Sequence, residues 1–130
     1  MAPTARDLVR LQGVHPTLVQ VIVGILAELP MFVVEGVRTA ERQHTIFVSD
    51  PNATNCDGYI KLSSHQAKPD GFGHAVDCAF LGPSPFALTH DWKGYGARLE
   101  AAGCIWGGRW KHPVDLDHGE LPYPVPSVPK

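Results

Sequence analysis

An α+β domain with a small antiparallel sheet and helices packed against it is the fold class the sequence predicts, and three observations predict it. Helical spacing of apolar residues is concentrated in the first 50 positions. Short β-branched or aromatic runs bounded by turn residues are spread over the rest of the chain. Strand and helix signals do not alternate regularly, which disfavours a parallel βαβ array.

Taken in order, Thr4 starts a short helix over residues 4–11, ended by Gly13. HPTLVQVIVGILAELP makes a longer one, with Pro16 at a first helical position and Pro30 as its stop. Leu18, Val19, Ile22, Ile25, Leu26 and Leu29 give it one broad apolar face. MFVVEGV then reads as a strand entering the core, with Arg38 at its end, and Thr39 caps a helix through AERQHTIFV. SDPNATNCDGYIK, residues 49 to 61, is a surface loop of a length that often belongs to a site. AVDCAF is a second strand, GPSP breaks the chain, and THDWKGYGARLEAAG is a helix closed by Gly103. CIWGGRW and the segment around LDHGEL complete the strands. Prolines at nearly every second place bar LPYPVPSVPK from a paired central strand, so one domain over residues 1–121 with an extended or loose tail over 122–130 is expected.

The totals narrow the classes of function. At 130 residues, 44% hydrophobic and 18% charged, the chain suits one soluble globular domain. Eleven Lys and Arg against 13 Asp and Glu leave a net charge of −2, with no basic field for nucleic acid or an anionic membrane surface. Cys56, Cys78 and Cys104 are odd in number and contain no CxxC pair, which predicts reduced thiols. The start, MAPTARDLVRL, has no signal-peptide pattern, and the longest apolar region, residues 18 to 29, is broken by Gln20, Gly24 and Glu28. A cytosolic protein without membrane insertion is therefore expected.

The chemistry-bearing groups begin in SSHQAKPDGFGHAVDCAF. On a strand, Asp77 shares a face with Ala75 and Ala79, whereas His74 points the other way with Val76 and Cys78. His74 and Asp77 are thus poorly placed to share an ion. A carboxylate in an apolar strand calls for compensation by an arginine, backbone donors or a metal ion, unless it is simply salt-bridged or at the surface. His65 lies twelve positions earlier, across a segment whose proline and glycines can fold it back. His118, in DLDHGE, is the third candidate. A lone histidine is more often a surface or core residue than a ligand, but two histidines and one aspartate suit zinc, with a fourth position left for water. Zinc would bring that water's pKa to about 7, and a neighbouring carboxylate must then carry its proton. Asp115 and Asp117 both qualify, and spacing does not separate them. Arg38 offers a planar fork for a substrate carboxylate or carbonyl, or for a salt bridge to Glu35 or Glu41. Trp106 and Trp110 would wall a groove or, the commoner fate of tryptophan, fill the core.

VVEGVRTAERQ, SSH, GHAVD, WGGRW and DLDHGEL, in this order, resemble the LD-carboxypeptidase and L-alanyl-D-glutamate peptidase group of zinc peptidases. That group belongs to the D-Ala-D-Ala carboxypeptidase/hedgehog-like superfamily and is well represented among bacteriophage endolysins. The resemblance runs from about Val14 to Leu121. It implies zinc ligands at His65, Asp77 and His118, a catalytic carboxylate at Asp115, three before the last ligand, and a substrate-orienting arginine at Arg38. Ser63, Gln43 and Trp106 fall on further motif positions on the substrate side. Two departures stand out: five extra residues separate His65 from the glycine of GHAVD, and the stretch after Gln43 is shorter than in many relatives.

The function implied is zinc-dependent hydrolysis of the peptide stem of bacterial peptidoglycan, at the L-Ala-D-Glu bond, by a monomeric phage endolysin. Such an enzyme would stay in the host cytoplasm until a holin-like partner opened the way to the wall, and would bind the wall through its catalytic domain. The alternatives are a D-Ala-D-Ala dipeptidase or carboxypeptidase, and a non-catalytic wall-binding domain of the same fold.

Overall fold

The structure, a computed structural model, describes residues 2–50, 52–111 and 113–125. Helices α1 (Ala5–Arg10) and α2 (Pro16–Glu28) lead into strand β1 (Met31–Glu35), followed by α3 (Ala40–Ser49), β2 (Ala75–Phe80), α4 (Trp92–Ala101), β3 (Ile105–Trp106) and β4 (His118–Glu120). The strands form one antiparallel sheet in the order β1-β2-β4-β3. The expected α+β class and each expected element are present. CIWGGRW contributes only two strand residues, because Gly107–Arg109 turns into a 3-10 helix. Of the proline-rich tail, residues 126–130 lie outside the described residues.

Helix α2 buries Leu18, Ile22, Ile25 and Leu26, and α4 buries Trp92, Tyr95 and Leu99 in the same core. Gly119 faces α4: a Cβ there would come within 2.7 Å of Leu99 and 3.3 Å of the Tyr95 hydroxyl. Side chains alternate along a strand, so His118 and Glu120 point away from α4. Asp77 pairs directly with His118 across β2 and β4, and with Glu35 across β1 and β2 beyond a bulge. Glu35, Asp77 and His118 therefore form a row across three strands on the sheet face opposite α4. His74, as expected, is elsewhere: it is fully buried, with Nδ1 on the Leu121 carbonyl at 3.2 Å and Nε2 on Asp70 at 2.7 Å.

The twelve-residue interval between His65 and Asp77 closes because it runs out and back on its own backbone. His74 N–H donates to the Ser64 carbonyl at 2.9 Å, Lys68 N–H to Phe72, and Gly71 N–H to Lys68. Gly73 sits where the two arms pass. A Cβ on it would meet Val37 at 2.9 Å and the His65 carbonyl at 3.0 Å.

The outer edge of the sheet is closed by α1. Asp7 is buried; its Oδ1 accepts from Val33 N–H at 2.9 Å and its Oδ2 from Thr4 N–H at 2.9 Å, which completes a capping box. Arg10 donates to the Val33 carbonyl at 2.8 Å, so both outward backbone groups of Val33 are satisfied by side chains. Asp7→Ala strands the Val33 amide and removes the helix cap. We expect it to cost about 2 kcal/mol in urea unfolding, with Asp7→Asn closer to the native protein; a loss below about 0.5 kcal/mol would contradict this role.

Candidate metal centre

Three ligand-type atoms converge at the middle of the cross-strand row. His65 Nε2 and His118 Nδ1 each lie 3.3 Å from Asp77 Oδ1, and all three residues are buried. Neither His65 Nε2 nor Asp77 Oδ1 has a hydrogen-bond partner among the described residues. An unsatisfied buried polar atom costs roughly 1–3 kcal/mol, so such a pair, aimed at one point, calls for a cation between them. Two imidazoles and one carboxylate form a donor set that can hold a divalent metal.

Each ligand is aimed by a group on its far side. His65 Nδ1 lies 2.8 Å from the Gly36 carbonyl and donates to it, which leaves the lone pair on Nε2. Gly36 must be glycine, since a Cβ there would fall 2.3 Å from the Arg10 carbonyl. His118 presents the opposite nitrogen: its Nε2 faces Glu120 Oε1 at 2.7 Å, and Ser64 Oγ holds the other oxygen of Glu120 at 3.1 Å. A carboxylate behind a histidine in this way fixes the ring and raises its basicity as a ligand. The second oxygen of Asp77 is occupied by Arg38 Nη2 at 3.1 Å, so only Oδ1 faces the histidines.

The electrostatics match the geometry. Burial favours a neutral Asp77, yet His65 and His118 hold its carboxyl far below the usual range. Burial likewise opposes charge on His118, but its contacts with Asp77 and Glu120 push it up to about 10. Asp117 is pushed up to about 9, first by burial, then by its bond toward Asp115 and the charge of Asp77. Asp115 Oδ2 lies 3.9 Å from His118 Nδ1, and its side chain is 36% exposed to the cleft.

That cleft, about 380 Å³, is lined by Ser63, His65, Asp77, Asp115 and His118. Arg38 also lines it, but its guanidinium is already engaged: Nε pairs closely with Glu35, Nη1 donates to Gln43 Oε1 at 3.0 Å, and Nη2 reaches Asp77. The salt bridge to Glu35 weighed from the sequence is therefore present. Gln43 is fully buried, and its Nε2 donates to the Cys56 carbonyl at 2.9 Å and to Thr54 at 3.3 Å. With both ends of its amide used, it braces Arg38 and the 54–56 loop and does not line the cleft. Trp106 is likewise core: its Nε1 donates to Leu116, and Gly96 and Gly108 make room for its ring.

Trp110 takes the wall position instead, lining the cleft with its ring 4.7 Å from that of His118. Glu120 and Gly107 complete the set that sequence reasoning did not single out. Glu120 is legible in hindsight, two residues from His118 on one strand face. Gly107 accommodates the Asp115 loop: a Cβ would lie 2.4 Å from the Asp115 carbonyl, and the Gly107 carbonyl accepts the Asp115 amide at 3.0 Å.

Comparison with protein-family profiles finds no match, and neither does comparison with curated protein sequences. Among solved structures, the chain matches the crystal structure of the Serratia marcescens L-Ala D-Glu endopeptidase ChiX at 30% identity and a TM-score of 0.66, over 95% of this chain and 92% of that one. With that identity across nearly the whole of both chains, and the same α+β fold, this chain belongs to the family of the L-Ala-D-Glu endopeptidases.

Proposed function

We propose that this protein is a zinc-dependent peptidase that cuts the peptide stem of bacterial peptidoglycan between L-Ala and D-Glu. The observation that carries the reading is the orphaned pair His65 Nε2 and Asp77 Oδ1, completed by His118 Nδ1 and set in a cleft that Asp115 also lines. When bound, zinc supplies a water acidified to a pKa of about 7 and polarises the scissile carbonyl.

The chain's own residues do the rest. His65, Asp77 and His118 hold the ion, with Gly36, Arg38 and Glu120 fixing their aim. Asp115, exposed to the cleft and close to His118, takes the proton of the attacking water and returns it to the departing amine. Burial and the neighbouring Asp115 raise the Asp117 carboxyl, which favours its protonated form and leaves Asp115 as the proton carrier in this reading. Arg38 acts by securing Asp77, its guanidinium being held in turn by Glu35 and Gln43. Ser63 borders the cleft, and its hydroxyl accepts the His65 amide at 3.2 Å. Trp110 forms an apolar wall.

The biological setting belongs to the same proposal: a monomeric phage endolysin with its catalytic unit in residues 1–121, reaching the wall with a holin-like protein. It rests on the motif resemblance. Among the described residues no helix is long and apolar enough to cross a membrane.

Digesting purified peptidoglycan and identifying the new termini tests the bond: freed L-Ala carboxyl ends are expected, and release of D-Ala alone would refute the assignment. Metal analysis should find about one zinc per chain, lost from Asp77→Asn and His118→Ala. Asp115→Ala should keep the zinc and lose roughly 10²–10⁴-fold in kcat; normal turnover in that variant would remove Asp115 from the mechanism. Because its contacts with Asp77 and Glu120 push His118 up to about 10, metal binding near neutral pH is expected to displace its proton. Proton competition is then full below that pKa and fades only as pH rises through it. Apparent zinc affinity should climb about tenfold per pH unit between roughly 7 and 9, with about one proton released, as calorimetry in buffers of different ionisation enthalpy would show.

A further inference from the structure

Two permanent side-chain cations line the cleft, Arg38 and Lys61. The charge of Arg38 is balanced by Glu35 and Asp77, and its fork is further used by Gln43. Lys61 differs: its ammonium has no ion pair or hydrogen bond among the described residues, and its side chain is exposed at the cleft. A D-Glu residue whose nitrogen forms the scissile amide brings two carboxyl groups. Continuing the chain through one leaves the other as a carboxylate close to the reacting bond.

We infer that Lys61 receives that carboxylate and so determines specificity for an acidic residue on the leaving-group side of the bond, an inference that rests on the function proposed above. The segment is built to hold this lysine at the rim. Asp57 Oδ1 accepts the amides of Tyr59, Ile60 and Lys61 at 3.0, 2.9 and 2.9 Å, and Gly58 N–H donates to the Lys61 carbonyl at 3.1 Å. Those backbone donors, that of Lys61 foremost, hold the Asp57 carboxyl below its ordinary range. The turn is in turn fastened to the body of the protein. His44 Nδ1 meets the Asp57 carbonyl at 3.0 Å, and Gln66 donates to the Gly58 carbonyl at 2.9 Å. Gly58, at a φ of +92°, fits so closely on α3 that a Cβ would lie 2.7 Å from the Ala40 carbonyl. With its backbone held, Lys61 has only side-chain rotamers to order when an anion arrives, which keeps the entropic cost of recognition low.

The test compares an acetyl-L-Ala-D-Glu peptide carrying the free carboxylate with the same peptide amidated at that group, using zinc-loaded full-length protein. The wild type should prefer the carboxylate form. Lys61→Met should lower kcat/KM on that form about tenfold, through KM and not kcat, and leave the amidated form unchanged, so that the preference disappears. Lys61→Arg should retain it. Equal losses on both peptides, or an intact preference in Lys61→Met, would overturn the inference. Cleavage of both peptides by the wild type without preference would overturn the inference alone, whereas cleavage of neither would overturn the proposed function with it.

Discussion

Asp77 is the constraint around which the molecule is arranged. It stands in the middle of β2, whose six residues are all buried, where a lone carboxylate would be intolerable. Its two oxygens are divided between two kinds of partner. Arg38, reaching from the segment after β1, neutralises Oδ2, and the imidazoles of His65 and His118 converge on Oδ1 without satisfying it. One oxygen is thus structural, and the other is placed where a cation could be held. The short distance from β1 through β2 to β4 allows a single side chain to connect the folding of the sheet to the assembly of the centre.

Around this carboxylate the precision comes from backbone. Gly36 presents the carbonyl that orients His65, Gly73 lets the two arms of the 65–73 excursion pass, and Gly107 brings the Asp115 loop against His118. A methyl group at each of these places would collide with backbone or side-chain atoms at 3.0 Å or less. Such close approach keeps His65, Asp77 and His118 buried, while Asp115, one loop further out, lines the cleft. A centre of this kind gains little from ligand affinity alone; its value lies in holding orientation before substrate arrives.

The charge pattern around the centre has a similar division. Of the acidic residues lining the cleft, Asp77 and Glu120 contact the histidines, and the carboxyl of Asp117 is raised by burial and by Asp115. Positive charge is supplied once within the framework, by Arg38, and once at the rim, by Lys61. The five extra residues between His65 and Gly73 fold into a turn without disturbing the ligands, because the ladder contacts at His74 and Arg38 secure both arms.

Helix periods, caps, breaks and strand alternation are local properties, and the sequence by itself determined the four α-helices, the places of the strands and the separation of His74 from Asp77, but not the 3-10 turn at Gly107–Arg109. The ordered motifs also identified His65, Asp77 and His118, since ligand types and their spacing survive without knowledge of the fold. What only the tertiary structure decided was which polar atoms remain free once packing is complete. Gln43 and Trp106 stand in motif positions, yet their hydrogen-bonding groups are consumed internally, whereas Trp110, Glu120 and Lys61 face the cleft. Asp115 and Asp117, two positions apart, both line the cleft, and only Asp117 has its carboxyl raised, by burial and by its neighbours. The physical reason is that availability for chemistry depends on partners distant in the chain, and one-dimensional pattern carries no record of which donors and acceptors those partners have already taken.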